Sequence, residues 1–185
     1  MREGITHKSQ CLAGSLLIAH PILKDPNFKR TVILMTADSE EEGSLGIVLN
    51  RPCSKTLGQL GGEFAFSKLS SVPVFTGGPV NKDQLILAAW QAKSTGFQFH
   101  LGLDPEKAAD FLGEEDTYVR AYLGYSGWSK GQLKGELKTP TWILSPISPD
   151  LFTHDPNQAL WRKVLRGKGE EWRLFAEEPE NPQDN

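Results

Sequence analysis

Thr31-Val-Ile-Leu-Met-Thr36 is a continuously apolar run between two threonines, the pattern of a strand buried on both faces. Working outward from it, further apolar runs bounded by turn residues predict strands at Ser15–Ala19, Leu45–Leu49, Pro73–Phe75, Leu85–Trp90, Gln98–Leu101, Thr117–Gly124 and Thr141–Leu144. Helix starts are marked by chemistry. Asp104-Pro105-Glu106 and Asp155-Pro156-Asn157-Gln158 each place an N-cap acceptor before a proline suited to the first helical position. The second opens a helix with Leu160, Trp161, Val164 and Leu165 on one side and Gly167 as its stop. Asp25-Pro26-Asn27 stands too close to the next strand for a helix and reads as a turn. Many strands, few short helices and no regular βαβ rhythm predict an α+β protein with a mixed sheet.

The chain has 185 residues, of which 38% are hydrophobic, with a formal net charge of −3. That length buries an adequate core without metal or disulfide staples. The charge argues against a globally basic nucleic-acid binder or a polybasic membrane protein. No apolar run approaches the roughly 18 residues of a membrane span. Met1 to Gln10 lacks an apolar signal-peptide core, so a cytoplasmic location is expected. From Glu170 to Asn185 six acidic residues face one arginine. We therefore expect one domain over residues 1–176 and an acidic, disordered tail over 177–185. Cys11 and Cys53, like His7, His20, His100 and His154, are scattered without metal-ligand spacing, so neither metal nor cofactor is expected.

Gly127-Trp128-Ser129-Lys130-Gly131 matches G-x-S-x-G between a strand and a helical stretch, Gln132 to Lys138, the context of a nucleophile elbow. A triad would have to use Asp150 and His154, whose spacing is too short for the usual arrangement. Ser129 and Gln132 also spell a capping box. Thr76-Gly77-Gly78-Pro79-Val80 could bring backbone amides to an anion or simply form a tight turn. Arg51, in Asn50-Arg51-Pro52, could clamp a phosphate or carboxylate, or pair with Glu40, Glu41 or Glu42. Tyr118, Arg120 and Tyr122 share one face of their strand, able to stack a flat ligand or to pack beneath another element. Arg162, Lys163, Arg166 and Lys168 form a basic cluster that also suits a helix C-terminus.

Gly14-Ser-Leu-Leu-Ile-Ala-His-Pro21, Asp25-Pro-Asn-Phe28, Arg30-Thr-Val-Ile33, Gly46-Ile-Val-Leu-Asn-Arg-Pro52, Phe75-Thr-Gly-Gly-Pro-Val80 and Gly124-Tyr-Ser-Gly-Trp128 with Gly131-Gln-Leu133 resemble, in this order, the YqgE/AlgH family of small bacterial proteins. The resemblance runs from about Leu12 to Leu165. It implies a bifurcated β-sheet folded into a pseudo-barrel with a few short flanking helices. One member lends the family a description as transcriptional regulators. The family often has a histidine in the hairpin where this chain has Asp38-Ser-Glu-Glu-Glu-Gly43, and the serine of G-x-S-x-G is not part of its motif.

The expected function is that of a non-enzymatic binding or regulatory protein with one site for a small ligand or protein partner. Its expected residues are Asn50, Arg51, Gly77, Gly78, Pro79, Tyr125, Gly127, Trp128 and Gln132. Arg51 would hold an anionic group, the paired glycines would allow close approach, and Trp128 would stack. No catalytic residue is assigned. The alternatives are a small hydrolase using Ser129 and a scaffold in transcriptional regulation that binds a protein through the basic helix near Arg162. A duplex-DNA partner is poorly motivated by the charge.

Overall fold

The computed structural model describes residues 11–94, 96–148, 151 and 159–177. The Thr31 run becomes β2 (Val32–Ser39), flanked by β1 (Ser15–Ala19) and β3 (Gly43–Val48), both antiparallel to it. Val32, Ile33, Leu34 and Met35 are all buried, so neither face of this part of the strand meets water. After β3 come β4 (Pro52–Thr56), α1 (Leu57–Leu60), a single 3-10 turn at Gly62–Phe64, β5 (Pro73–Thr76), β6 (Val80–Lys93) and β7 (Gly96–Leu101). Then follow α2 (Pro105–Phe111), β8 (Thr117–Trp128), α3 (Gln132–Glu136), β9 (Trp142–Pro146), α4 (Ala159–Arg166) and α5 (Glu170–Glu177). The α+β class is therefore as expected, and each predicted strand has its counterpart.

The sheet branches at β8. Up to Leu123 this strand lies between β6, antiparallel, and β5, parallel. Beyond Gly124 its last residues, Ser126 to Trp128, pair instead with Gly46 to Ser44 of β3. Gly124 stands at the junction with φ +69°, and a Cβ there would lie 2.7 Å from the carbonyl oxygens of both Gly78 and Val80. Only glycine meets both demands. The bifurcation implied by the family resemblance is thus present, but the pseudo-barrel needs correction. Among the described residues, the hydrogen-bonded order β4-β5-β8-β3-β2-β1-β9 does not close on itself, and β7 joins only β6.

One core gathers β1, β2 and β3 with Trp128, Trp142 and α4. Leu160, Trp161 and Leu165 of α4 are buried, and the Trp161 indole donates to the Ala19 carbonyl at 2.8 Å. A second core packs α1, α2, β5, β6 and β8 through Leu57, Val74, Leu87, Ala108 and Val119. Asp104, extended at ψ 151°, precedes Pro105 at the N-cap of α2 as expected, but its side chain makes no cap hydrogen bond. The Asp25 turn also forms, with Phe28 N–H donating to the Asp25 carbonyl. The Asp155-Pro156 start of α4 and residues 178–185 of the tail lie outside the described residues. Glu177 does not belong to a tail: it ends α5 and pairs with Arg166 at 2.7 Å.

Candidate functional site

Three sequence segments meet on the β5–β6 side of the branch. The Thr76 N–H donates to the Arg51 carbonyl at 2.8 Å, and the Val48 N–H donates to the Gly77 carbonyl at 2.8 Å, fixing Asn50-Arg51 against Thr76-Gly77-Gly78. The Asn27 N–H is held by Asp25 Oδ1 at 2.9 Å. Between them opens a cleft of about 320 Å³ lined by Pro26, Asn27, Val48, Arg51, Thr76, Gly78, Pro79 and Lys82. The Arg51 guanidinium donates to the Lys29 carbonyl, which steadies it at the rim. Arg51, Lys82, Asn27 and Thr76 share this space, and none of the described residues lining it is acidic. Such a donor set suits an anion.

Arg51, Gly78 and Pro79 are thus brought together; the rest of the expected site is not. Asn50 is buried, with Oδ1 accepting the Val32 N–H and Nδ2 donating to the Arg30 carbonyl, both at 2.9 Å. It bridges β2 to the segment after β3. Gly77 spends its N–H on the Leu123 carbonyl at 2.7 Å. A Cβ on Gly77 would lie 2.2 Å from Gly124 O, and one on Gly78 would lie 2.2 Å from the Tyr125 carbonyl. The close approach these glycines permit is therefore of one backbone to another. Tyr125 is half-buried, with its hydroxyl 3.5 Å from Asn81 Nδ2. Gly127 is exposed and pairs with Leu45.

Trp128, expected to stack on a ligand, lies in the core at 5% exposure. Its ring packs between Phe28 and Trp142, and its indole donates to Glu136 Oε2 at 2.9 Å. Gln132 is equally occupied, accepting the Ser129 N–H at 3.0 Å and donating to Glu136 Oε1 at 2.9 Å. Gly131, not Ser129, holds the N-cap position of α3, so only the glutamine half of the expected capping box forms. Lys82, Asn27 and Thr76 were missed. For Lys82 the signal was the polar run Asn81-Lys-Asp-Gln84 ahead of the apolar part of β6, which marks a strand end with exposed side chains.

The remaining motifs resolve into structural roles. Ser129 is exposed and is not among the non-glycine residues with positive φ, which are Arg30, Ser54, Asn81 and Asp116. The end of β8 that leads into it runs antiparallel to β3. This is not the strained turn atop an α/β-hydrolase sheet that an elbow requires; Asp150 and His154 lie outside the described residues. Tyr122 and Arg120 point into the core, Arg120 stacking over Phe75 at 5.4 Å, and burial pushes the Tyr122 hydroxyl pKa upward. In the basic helix, Arg166 pairs with Glu177, and Lys168 donates to the Leu144 carbonyl at 3.0 Å. Glu40 pairs with Lys134 at 2.8 Å. No helix among the described residues is long and apolar enough to cross a membrane.

Fold and cleft together define a class: a mixed α+β protein whose sheet divides at a glycine and carries a cationic cleft beside the division. The chain belongs to the AlgH-like family, whose model matches residues 16–173. It is 36% identical to a UPF0301 protein of Thermobifida fusca, over 92% of this chain and 94% of that one. It is 35% identical to a UPF0301 protein of Streptomyces coelicolor, over 99% and 100%. Among solved structures, the AlgH protein from Pseudomonas aeruginosa shares the fold with a TM-score of 0.64 and 24% identity, over 98% of this chain and 100% of that one. A Corynebacterium diphtheriae protein does so with a TM-score of 0.68 and 21% identity, over 90% and 92%.

Proposed function

We propose that this protein is a non-enzymatic binding protein whose ligand is a small anion, bearing a phosphate or carboxylate group, held in the cleft at Arg51 and Lys82. The reading rests on one observation. The Asp25 turn, the Asn50-Arg51 segment and the Thr76–Lys82 segment converge on a cleft with two cations and no acidic residue among the described residues that line it. Arginine offers a planar fork to such a group and lysine a mobile point charge. Thr76 and Asn27 add neutral hydrogen-bonding capacity.

A thermal-shift series tests this with inorganic phosphate, adenosine monophosphate and citrate on the wild type and on Lys82→Glu, a change at an exposed position. A ligand at 100 times its Kd stabilises by about 2.7 kcal/mol. The expected result is a rise in Tm with at least one probe, absent in Lys82→Glu and kept in Ser129→Ala. A rise of equal size in Lys82→Glu would move the site elsewhere.

A further inference from the structure

Among the described residues, one edge of β6 in the second core is left unpaired beside Leu85. β7 pairs with β6 only from Ala88 to Lys93; at Gly102, with φ +71°, the chain turns out of the sheet plane. Gly102 and Leu103 both donate to the Leu87 carbonyl, at 2.9 and 3.1 Å, so that carbonyl points away from β8. Strand alternation then puts the Leu85 N–H and C=O on the same outward side. Among the described residues no strand pairs with β6 there. A groove of about 660 Å³ occupies that place, its apolar walls being Phe64, Leu85, Leu87, Leu101, Leu103 and Pro105. In its wall Leu101 is 38% exposed.

Among the described residues the charge around this groove is mainly acidic. Glu63 lines it, Asp83 adjoins Gln84 in its wall, and Asp104 and Glu106 flank Pro105; all four are exposed. Lys107 pairs only with Asp104 among these, at 3.4 Å.

We propose that this groove docks an extended segment of another protein, apolar at its centre and flanked by lysine or arginine, which continues β7 by adding a strand beside Leu85 of β6. The open backbone edge supplies register and the apolar walls supply side-chain pockets, as in other strand additions. The acidic rim selects basic flanks. This site is separate from the cationic cleft, which selects the opposite charge.

The test is fluorescence anisotropy on the full chain with a labelled peptide, Lys-Lys-Val-Thr-Val-Thr-Val-Lys-Lys. Two companions carry glutamate in place of lysine or N-methyl groups on alternate backbone amides. The lysine peptide is expected to bind about 10-fold more tightly than either companion, a ratio equal to about 1.4 kcal/mol, and to weaken as salt is raised. Glu63→Lys should narrow the gap between the lysine and glutamate peptides. Leu101→Thr, which keeps strand propensity, should weaken all binding. Absence of binding, equal affinity for the lysine and glutamate peptides, or indifference to N-methylation would each overturn the proposal. So would self-association of the chain that Leu101→Thr abolishes, since the occupant would then be a second copy.

Discussion

Trp128 donates its indole N–H to Glu136 Oε2 at 2.9 Å, across the turn that joins β8 to α3. The Trp142 indole donates to the same oxygen at 2.7 Å. One carboxylate thus satisfies two buried indoles, tying both ends of the segment between β8 and β9 to a single side chain. The aromatic motif near Trp128 is in this way a fastening of the main core. That role, rather than ligand stacking, explains why a tryptophan stands there.

Glu136→Ala should therefore cost about 2–4 kcal/mol, since two buried donors lose a charged acceptor. Glu136→Gln should cost less, because its oxygen still accepts. Urea denaturation checks both. A loss below about 0.5 kcal/mol in Glu136→Ala would show that water replaces the carboxylate without penalty.

Glycine substitutions should separate sharply by neighbourhood. Gly78→Ala forces a Cβ to within 2.2 Å of the Tyr125 backbone, where neither chain can yield cheaply. A loss above about 3 kcal/mol or failure to fold is expected. Gly135, inside α3, has open space where its Cβ would stand, so Gly135→Ala should gain up to about 1 kcal/mol. Thermal melts of both variants give the comparison.

Asn50→Leu should cost about 2–4 kcal/mol. It leaves the Val32 N–H and the Arg30 carbonyl without the partners they have at 2.9 Å in a buried site. Asn50→Asp keeps the acceptor for Val32 but sets a carboxylate against the Arg30 carbonyl, and should also destabilise. Denaturation midpoints with unchanged m-values would confirm a native-state effect.

Much of this architecture was legible in the sequence because it rests on apolar runs. Val32 to Met35 had to be buried on both faces, and the Asp-Pro steps at Asp25 and Asp104 marked a turn and a helix start openly, although Asp104 makes no side-chain cap bond. β4 escaped notice because Pro52–Thr56 is a polar, proline-initiated strand at the edge of the sheet, with no apolar alternation to announce it. The site was half legible for a different reason. A glycine where only glycine fits signals a close neighbour without saying whether that neighbour is a ligand or a backbone, and at Gly77 and Gly78 it is Gly124 and Tyr125. Trp128 misled in the same way, since burial and stacking ask for the same residue. Lys82 is hidden because the apolar run of its strand starts at Leu85, whereas Asn81, at φ +47°, lets β6 begin five residues earlier at Val80.

The His20 imidazole gives a pH dependence with a definite sign. Burial lowers its pKa below the ordinary 6.5, and its Nδ1 accepts the Ile22 N–H while the ring meets Trp172 edge-on at 5.5 Å. The unfolded chain then takes up this proton before the folded one does. The contribution is fully present above pH 6.5 and is lost as pH falls from there through the lower folded value. Denaturation at pH 7.5 and 5.5 should show a larger loss for the wild type than for His20→Gln, and an NMR titration should place the His20 midpoint below 6.5. A midpoint above 6.5 would reverse the sign.

The cationic cleft is tested most directly by a ¹H–¹⁵N correlation titration of the wild-type protein with inorganic phosphate, adenosine monophosphate and citrate in turn. The account predicts saturable shifts in the amides of Asn27, Arg51, Thr76, Gly78 and Lys82, with those of Trp128 and Gln132, both tied to Glu136, unmoved. Shifts centred on Trp128 and Gln132, or none from any probe at millimolar concentration, would contradict it.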